Sequence, residues 1–132
     1  GTIINSDFAS DTLISSYIHK PNQRLISISA KDFSFITEGN LSEIYACFSK
    51  HGIVISLMQN SAISFSVCVD ESVKLESLIG ELKNDFKVMY NKGLTLLTIR
   101  HYNDDLIHQL VGKKEILLEQ KSRSTVRLVL GS

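Results

Sequence analysis

Two short groups of residues carry the chemistry for holding a small zwitterion. Gly39, Asn40 and Leu41 open a run in which Leu41, Ile44, Tyr45 and Phe48 recur at helical spacing. The first amides of such a helix have no partner within it and lie at the positive end of its dipole, so they favour a carboxylate or a phosphate. Ser56, Gln59, Asn60 and Ser61 follow on a strand and its corner. Their neutral donors and acceptors can bond the remaining polar end of an amino acid. A turn glycine and a solvated hairpin corner fit the same residues, and spacing alone leaves both readings open.

Independent catalysis has weaker support. His19, His51, His101 and His108 share no spacing of the kind that puts two histidines on one helical turn, so no metal centre or catalytic dyad is expected. Val111-Gly112-Lys113-Lys114 is similar to the end of a phosphate loop, but Ile107 stands where its first glycine belongs and Lys114 where a hydroxyl belongs. Lys113, Lys114, Lys121, Arg123 and Arg127 make the C-terminal part basic. No aromatic residues interleave with them as base stacking requires, so a solvated face or a protein contact is the expectation rather than RNA binding.

Alternation and periodicity set out the elements that position these residues. Arg24 to Ala30 alternates as a strand, Lys31 to Glu38 is a loop, and the helix from Gly39 stops at Gly52. Ile53, Ile55 and Leu57 then share one strand face, and after Gln59-Asn60-Ser61 the alternation resumes in Ile63, Phe65, Val67 and Val69. Val73, Leu75, Leu78, Ile79 and Leu82 mark a second helix, capped by Asp70 or Ser72. Phe86, Val88 and Tyr90 make a strand closed by a turn at Asn91-Lys92-Gly93. The order over 24–93 is βαββαβ, the ferredoxin-like arrangement, which makes the fold class α+β. Leu94 to Arg100, Asp104 to Glu115, Ile116 to Glu119 and Thr125 to Leu130 repeat a β-α-β-β half. That second unit is incomplete, and Thr12 to His19 is apolar enough to contribute to it, so the two units are expected to interleave.

Composition bounds the remaining possibilities. Of 132 residues, 43% are hydrophobic, and 14 basic residues balance 14 acidic ones. A chain with no net charge has no global field to draw in nucleic acid or an anionic membrane. No apolar run approaches the ~20 residues of a membrane span, and GTIINSDFAS lacks the pattern of a signal peptide, so a cytoplasmic protein is expected. Cys47 and Cys68 fit packed thiols, with a bridge between them the alternative. Strand edges and an apolar face left by the incomplete unit make a homodimer the natural expectation.

With these elements placed, Gly39 to Asp70, preceded by RLISISAKD, resembles the first ACT domain of aspartate kinases. The family pattern there runs glycine, aromatic, leucine, a helix, Val-Asp, Thr-Ser-Glu and a strand ending in aspartate. Gly1-Thr2-Ile3 is similar to the segment that closes the catalytic domain of those enzymes. The resemblance implies that 1–23 is the end of a catalytic domain and its connection, 24–93 a first ACT unit and 94–132 a second. It implies a regulatory region that is not itself catalytic and holds no cofactor, ATP and magnesium belonging to a catalytic domain that phosphorylates aspartate on the way to lysine, threonine and methionine. It also implies paired ACT units in a dimer and an amino-acid effector held by Gly39, Asn40, Leu41, Ile55, Ser56, Gln59, Asn60 and Ser61.

Departures from that pattern bear on the effector. Lysine-sensitive members carry acidic residues where this chain has Ser56 and Ala62, and Asn40 replaces the aromatic residue. An ammonium taken out of water needs a countercharge, so a threonine-like or other neutral amino acid suits these residues better. The alternatives are an ACT sensor of another amino-acid enzyme and a ferredoxin-like dimerisation or RNA-binding module without an effector.

Overall fold

The computed structural model describes residues 14–131. Along this chain run strand β1 (Ser16–Ala30), helix α1 (Glu38–Lys50), strands β2 (Ile55–Asn60) and β3 (Ser64–Asp70), helix α2 (Lys74–Leu82), strand β4 (Phe86–Arg100), helix α3 (Asp104–Val111) and strands β5 (Ile116–Lys121) and β6 (Thr125–Leu130). They divide into two compact units, one of residues 21–94 and one joining the chain up to Lys20 with the chain from Thr95 onward. The fold is α+β with antiparallel ladders; the unit 21–94 has the ferredoxin-like arrangement with two helices, and the second unit is the incomplete version expected, with one helix among the described residues. The N-terminal part of β1 belongs to the second unit, so the interleaving expected from counting elements holds. Residues 12 and 13 of the segment assigned to it, and Gly1 to Ile3, lie outside the described residues.

In the unit 21–94 the strand order is β2-β3-β1-β4. Ile26 and Ile28 of β1, and Phe65, Val67 and Val69 of β3, turn one face of this sheet toward α1 and α2. Ile44 and Phe48 come down from α1, and Leu75, Leu78, Ile79 and Leu82 from α2. These are the positions the helical period selects, because residues three and four apart share a helix face. Val73 is the exception at 92% exposed, since it is the N-cap and precedes the helical register. Ser72 supplies the local bond, its Oγ accepting from Lys74 N at 3.2 Å. The second unit repeats the scheme on a smaller scale, with strands ordered β1-β4-β6-β5. Leu97, Ile99, Val126, Leu128 and Leu130 meet Val111 of α3 there.

The structure corrects the expected strand limits. β1 begins at Ser16 rather than Arg24. The turn expected at Asn91-Lys92-Gly93 is absent, and β4 runs unbroken through it. Gly93 has φ +68°, so its glycine signal is real but serves a local irregularity within a long strand rather than a reversal. A Cβ at Gly93 would meet nothing within 4 Å, which leaves backbone strain as the whole cost of a side chain. Gly93→Ala is therefore expected to lose about 1 kcal/mol, read as a lower urea midpoint at unchanged slope.

β2 departs further from simple alternation. Ile55 pairs with Val69 but Leu57 pairs with Cys68, a register shift that leaves Ser56 as an extra residue. This β-bulge reverses the facing of everything after it. Ile55 packs against the helix-side core, whereas Leu57 sits opposite Cys68 on the other face of the sheet. The expected shared face of Ile53, Ile55 and Leu57 is thus broken at Ser56. Ile63, expected with Phe65, Val67 and Val69, lies in the turn before β3 and is 50% exposed. Both cysteines are buried and free, so the bridge alternative does not apply.

Candidate functional site

Helix α1 starts one turn earlier in its capping than the apolar period alone indicates. Thr37 is the N-cap, with extended backbone, and Thr37 and Asn40 form a reciprocal capping box. Thr37 Oγ1 accepts from Asn40 N at 3.1 Å, while Asn40 Oδ1 accepts from Thr37 N at 3.0 Å and from the Thr37 hydroxyl at 2.9 Å. Leu41 N donates to Thr37 O at 3.0 Å. Two of the three amides expected to be unpartnered, those of Asn40 and Leu41, are therefore engaged within the helix start. The signature Thr-x-x-Asn carries this cap with asparagine in place of the more familiar glutamate or glutamine, which is why Lys31 to Glu38 reads as plain loop. With Asn40 Oδ1 turned to the cap, the carboxamide nitrogen is the group left to donate outward.

A single backbone bond brings this helix start to the corner between β2 and β3. Ile36 N, just before the cap, donates to Ala62 O at 2.9 Å. The corner itself is closed by Ser61, whose N donates to Ser64 O at 2.9 Å and whose Oγ accepts from Ser64 N at 3.1 Å. The segment that leads into Gly39, Asn40 and Leu41 is thereby tied to the corner that follows Asn60 and Ser61.

The bulge at Ser56 decides which of the remaining candidates faces the helices. Directly opposed residues of an antiparallel pair share a face, and Asn60 is opposite Phe65 on the helix side, whereas Gln59 is opposite Ser66 on the other side. Ile55 is on the helix side but packs into the core with Val69. Ser56 is half-buried at the bulge. Next to Asn60 the helix side carries an aromatic and thioether floor. Tyr45 meets the Phe65 ring edge-on at 5.5 Å between centroids, and its hydroxyl points at Met58 Sδ, 3.1 Å away. The composite is a shallow polar corner of neutral groups beside an apolar wall, with no carboxylate among Asn60, Ser61 and Asn40 to balance a second ammonium.

The second unit reproduces the same local geometry. Ile116 pairs with Leu130 and Leu118 with Val129, so β5 carries a bulge at Leu117 equivalent to that at Ser56. Ser122 N donates to Thr125 O at 2.8 Å, as Ser61 does to Ser64. Asn103 caps α3, its Oδ1 accepting from Leu106 N at 2.8 Å. Superposing these pairings sets Gln120 against Gln59, Lys121 against Asn60 and Arg127 against Ser66, so this corner is cationic where the first is neutral. The Lys121 ammonium stands 5.7 Å over the Tyr102 ring.

No protein-family model and no curated relative matches the sequence. Solved structures do match. The chain is similar to Escherichia coli aspartokinase III in complex with lysine and aspartate, with a TM-score of 0.68 and 17% identity over 86% of this chain and 28% of that one. The Clostridium acetobutylicum aspartate kinase matches at a TM-score of 0.73 and 15% identity, over 87% of this chain and 30% of that one. A C-terminal regulatory domain of aspartate kinase from Porphyromonas gingivalis matches at 0.72 and 14% identity, over 89% of this chain and 86% of that domain. The chain thus spans under a third of the whole enzymes and most of the isolated regulatory domain. Its fold is the fold of these aspartate kinase regulatory regions, two units built from interleaved segments.

Proposed function

We propose that this chain is the regulatory region of an aspartate kinase, which binds a small neutral amino acid and passes that binding to a catalytic domain. What supports the reading is the Ile36 N to Ala62 O bond, which ties the segment leading into a helix N-terminus to the polar β2–β3 corner. The helix dipole favours the effector carboxylate, and Asn60 and the Asn40 carboxamide offer neutral partners to a hydroxyl or amide. Ser56 and Ala62 offer no countercharge to a lysine ammonium. An effector acts through different contacts in two states of the enzyme, so the chain works with its own kinase domain and, in this proposal, as a homodimer paired through ACT units.

A thermal-shift panel of the proteinogenic amino acids on the 132-residue chain tests this. A ligand at a hundred times its dissociation constant adds about 2.7 kcal/mol, or roughly 10 °C for a domain of this size. A small neutral amino acid is expected to give that shift and lysine little or none. Asn60→Ala is expected to abolish it, while Gln59→Ala, on the opposite sheet face, leaves it in place. Flat melting curves across the panel would remove the effector site, and loss of the shift in Gln59→Ala alone would move it to the other face. Light scattering of the same sample reads the dimer directly.

A further inference from the structure

At the far end of α1 from the capping box, three side chains of different chemistry converge. Cys47 and His51 are four residues apart, one in the last turn and one at the C-cap, so they lie on the same helix face. His51 N donates to Cys47 O at 3.1 Å, which keeps that turn helical through the cap. From α2, Glu81 reaches between them. Its Oε2 is 3.2 Å from Cys47 Sγ and its Oε1 is 3.4 Å from His51 Nε2. The sulfur, the ring nitrogen and the carboxylate oxygen all fall within 4.8 Å of one another.

The carboxylate's distances to the sulfur and the ring nitrogen are close to those in a metal centre, and three ligand atoms within 4.8 Å need only a small closure to hold an ion. Zinc bonds of roughly 2.3 Å to sulfur and 2.0–2.2 Å to nitrogen or oxygen set tetrahedral ligand atoms about 3.3–3.7 Å apart. We propose that Cys47, His51 and Glu81 form a binding site for a thiophilic divalent cation of the zinc class, joining the C-terminal end of α1 to α2. The donor set of one sulfur, one imidazole and one carboxylate suits that class and not calcium or magnesium, which take oxygen ligands. Thiolate and carboxylate together would neutralise the ion. An adjoining surface cavity lined by Glu43, Lys50, Glu81 and Asp85 gives a route in and room for a water or a further carboxylate as fourth ligand.

The surroundings hold the ligands in a state that metal changes. The hydrogen bond from Lys50, then that from Cys47, draws the Glu81 carboxyl down to about 2, so it is charged and available. Burial, and then the Glu81 hydrogen bond, push the Cys47 thiol up to about 12. The metal binds the thiolate, so the S–H bond breaks, the sulfur lone pair goes to the ion and the proton leaves to solvent. Lys50 competes for the same carboxylate, its Nζ lying 2.9 Å from Glu81 Oε1, but it is 68% exposed and free to swing into water.

Cobalt(II) titration of chelator-treated protein tests the site, because a thiolate bound to cobalt gives a charge-transfer band in the near ultraviolet. The band is expected at one equivalent, removable by zinc, absent in Cys47→Ser and retained in Cys68→Ser. His51→Ala and Glu81→Gln are expected to weaken cobalt binding at least tenfold. Lys50→Ala should tighten it several-fold, since a cation beside the site is lost; a cluster serving only to pack the helices would not respond in that direction. No band in the unsubstituted protein at millimolar cobalt overturns the proposal, as does a band that survives Cys47→Ser. Zinc raising the melting temperature of the unsubstituted chain supports it without relying on any variant folding.

Discussion

Glu71→Ala is expected to destabilise the unit 21–94 by about 3 kcal/mol, lowering its melting temperature by roughly 15 °C. The cause is Arg24, which points its guanidinium into the protein from β1 and is only 1% exposed. Glu71 receives it in a fork, Nε to Oε1 at 3.1 Å and Nη2 to Oε2 at 2.5 Å. Glu76 adds a longer contact at 3.4 Å, and the Tyr90 ring lies 4.9 Å beneath the guanidinium carbon. Burial works against the charge on Arg24, but the hydrogen bonds and charges of Glu71 and then Glu76 outweigh it and hold the group above its ordinary value. Removing Glu71 leaves a buried cation with one distant partner. The Glu71 side chain is 38% exposed, so water can replace part of what is lost, which is why the lower end of the usual range for a broken buried pair applies. Substituting Arg24→Met and Glu71→Leu together should recover most of the loss. Thermal unfolding of the single and double variants measures both, and a single variant within 0.5 kcal/mol of the parent would show that Arg24 relaxes to solvent.

Phe65→Ala should cost more still, about 3–5 kcal/mol, by chemical denaturation. Phe65 is 1% exposed near the start of β3, between Ile28 on one neighbour and Asn60 on the other. It therefore loses its transfer free energy, leaves a cavity under α1 and forfeits the edge-on contact with Tyr45. Tyr45→Ala is the useful comparison. Tyr45 is 40% exposed, so its removal opens no enclosed void and should cost less than half as much. Both changes disturb the floor beside Asn60, so amino-acid binding should weaken in each even where Tyr45→Ala leaves the chain folded.

How much of this could be read in the residues differs between elements for definite reasons. Helices α1 and α2 are legible because Leu41, Ile44 and Phe48, and Leu75, Leu78, Ile79 and Leu82, bury one stripe each. β6 is legible to the residue, since Val126, Leu128 and Leu130 recur at period two in a run that Thr125 opens and Gly131 follows. The long strands are not, because Gly93 and Asn22 adopt positive φ inside β4 and β1, and a glycine or asparagine there reads locally as a turn. The bulge at Ser56 is also silent, as an extra residue changes facing without changing composition. That silence matters for the candidate site. Plain alternation from Ile55 would turn Gln59 toward the helices and Asn60 away, and the bulge exchanges the two. Cys47 and His51 carry the spacing of a helical ligand pair, but Glu81 lies thirty residues further on and joins them only once α1 and α2 pack. A search confined to histidine pairs misses it.

The twin bulges at Ser56 and Leu117 bear on how the protein avoids aggregation. Among the described residues β2 and β5 each have one strand neighbour, leaving a row of backbone groups on the other side. Ile53 to Met58, Ile-Val-Ile-Ser-Leu-Met, has high strand propensity, no charge and no proline, the composition of a segment that stacks into fibrils when it lies flat and open. An extra residue after Ile55 bends the strand and breaks the even spacing of its outward amides, so an incoming strand finds matched partners over a short run only. Deleting Ser56 would restore an unbroken edge and turn Leu57 toward the helices. It should make the chain polymerise, visible as growing light scattering and thioflavin binding.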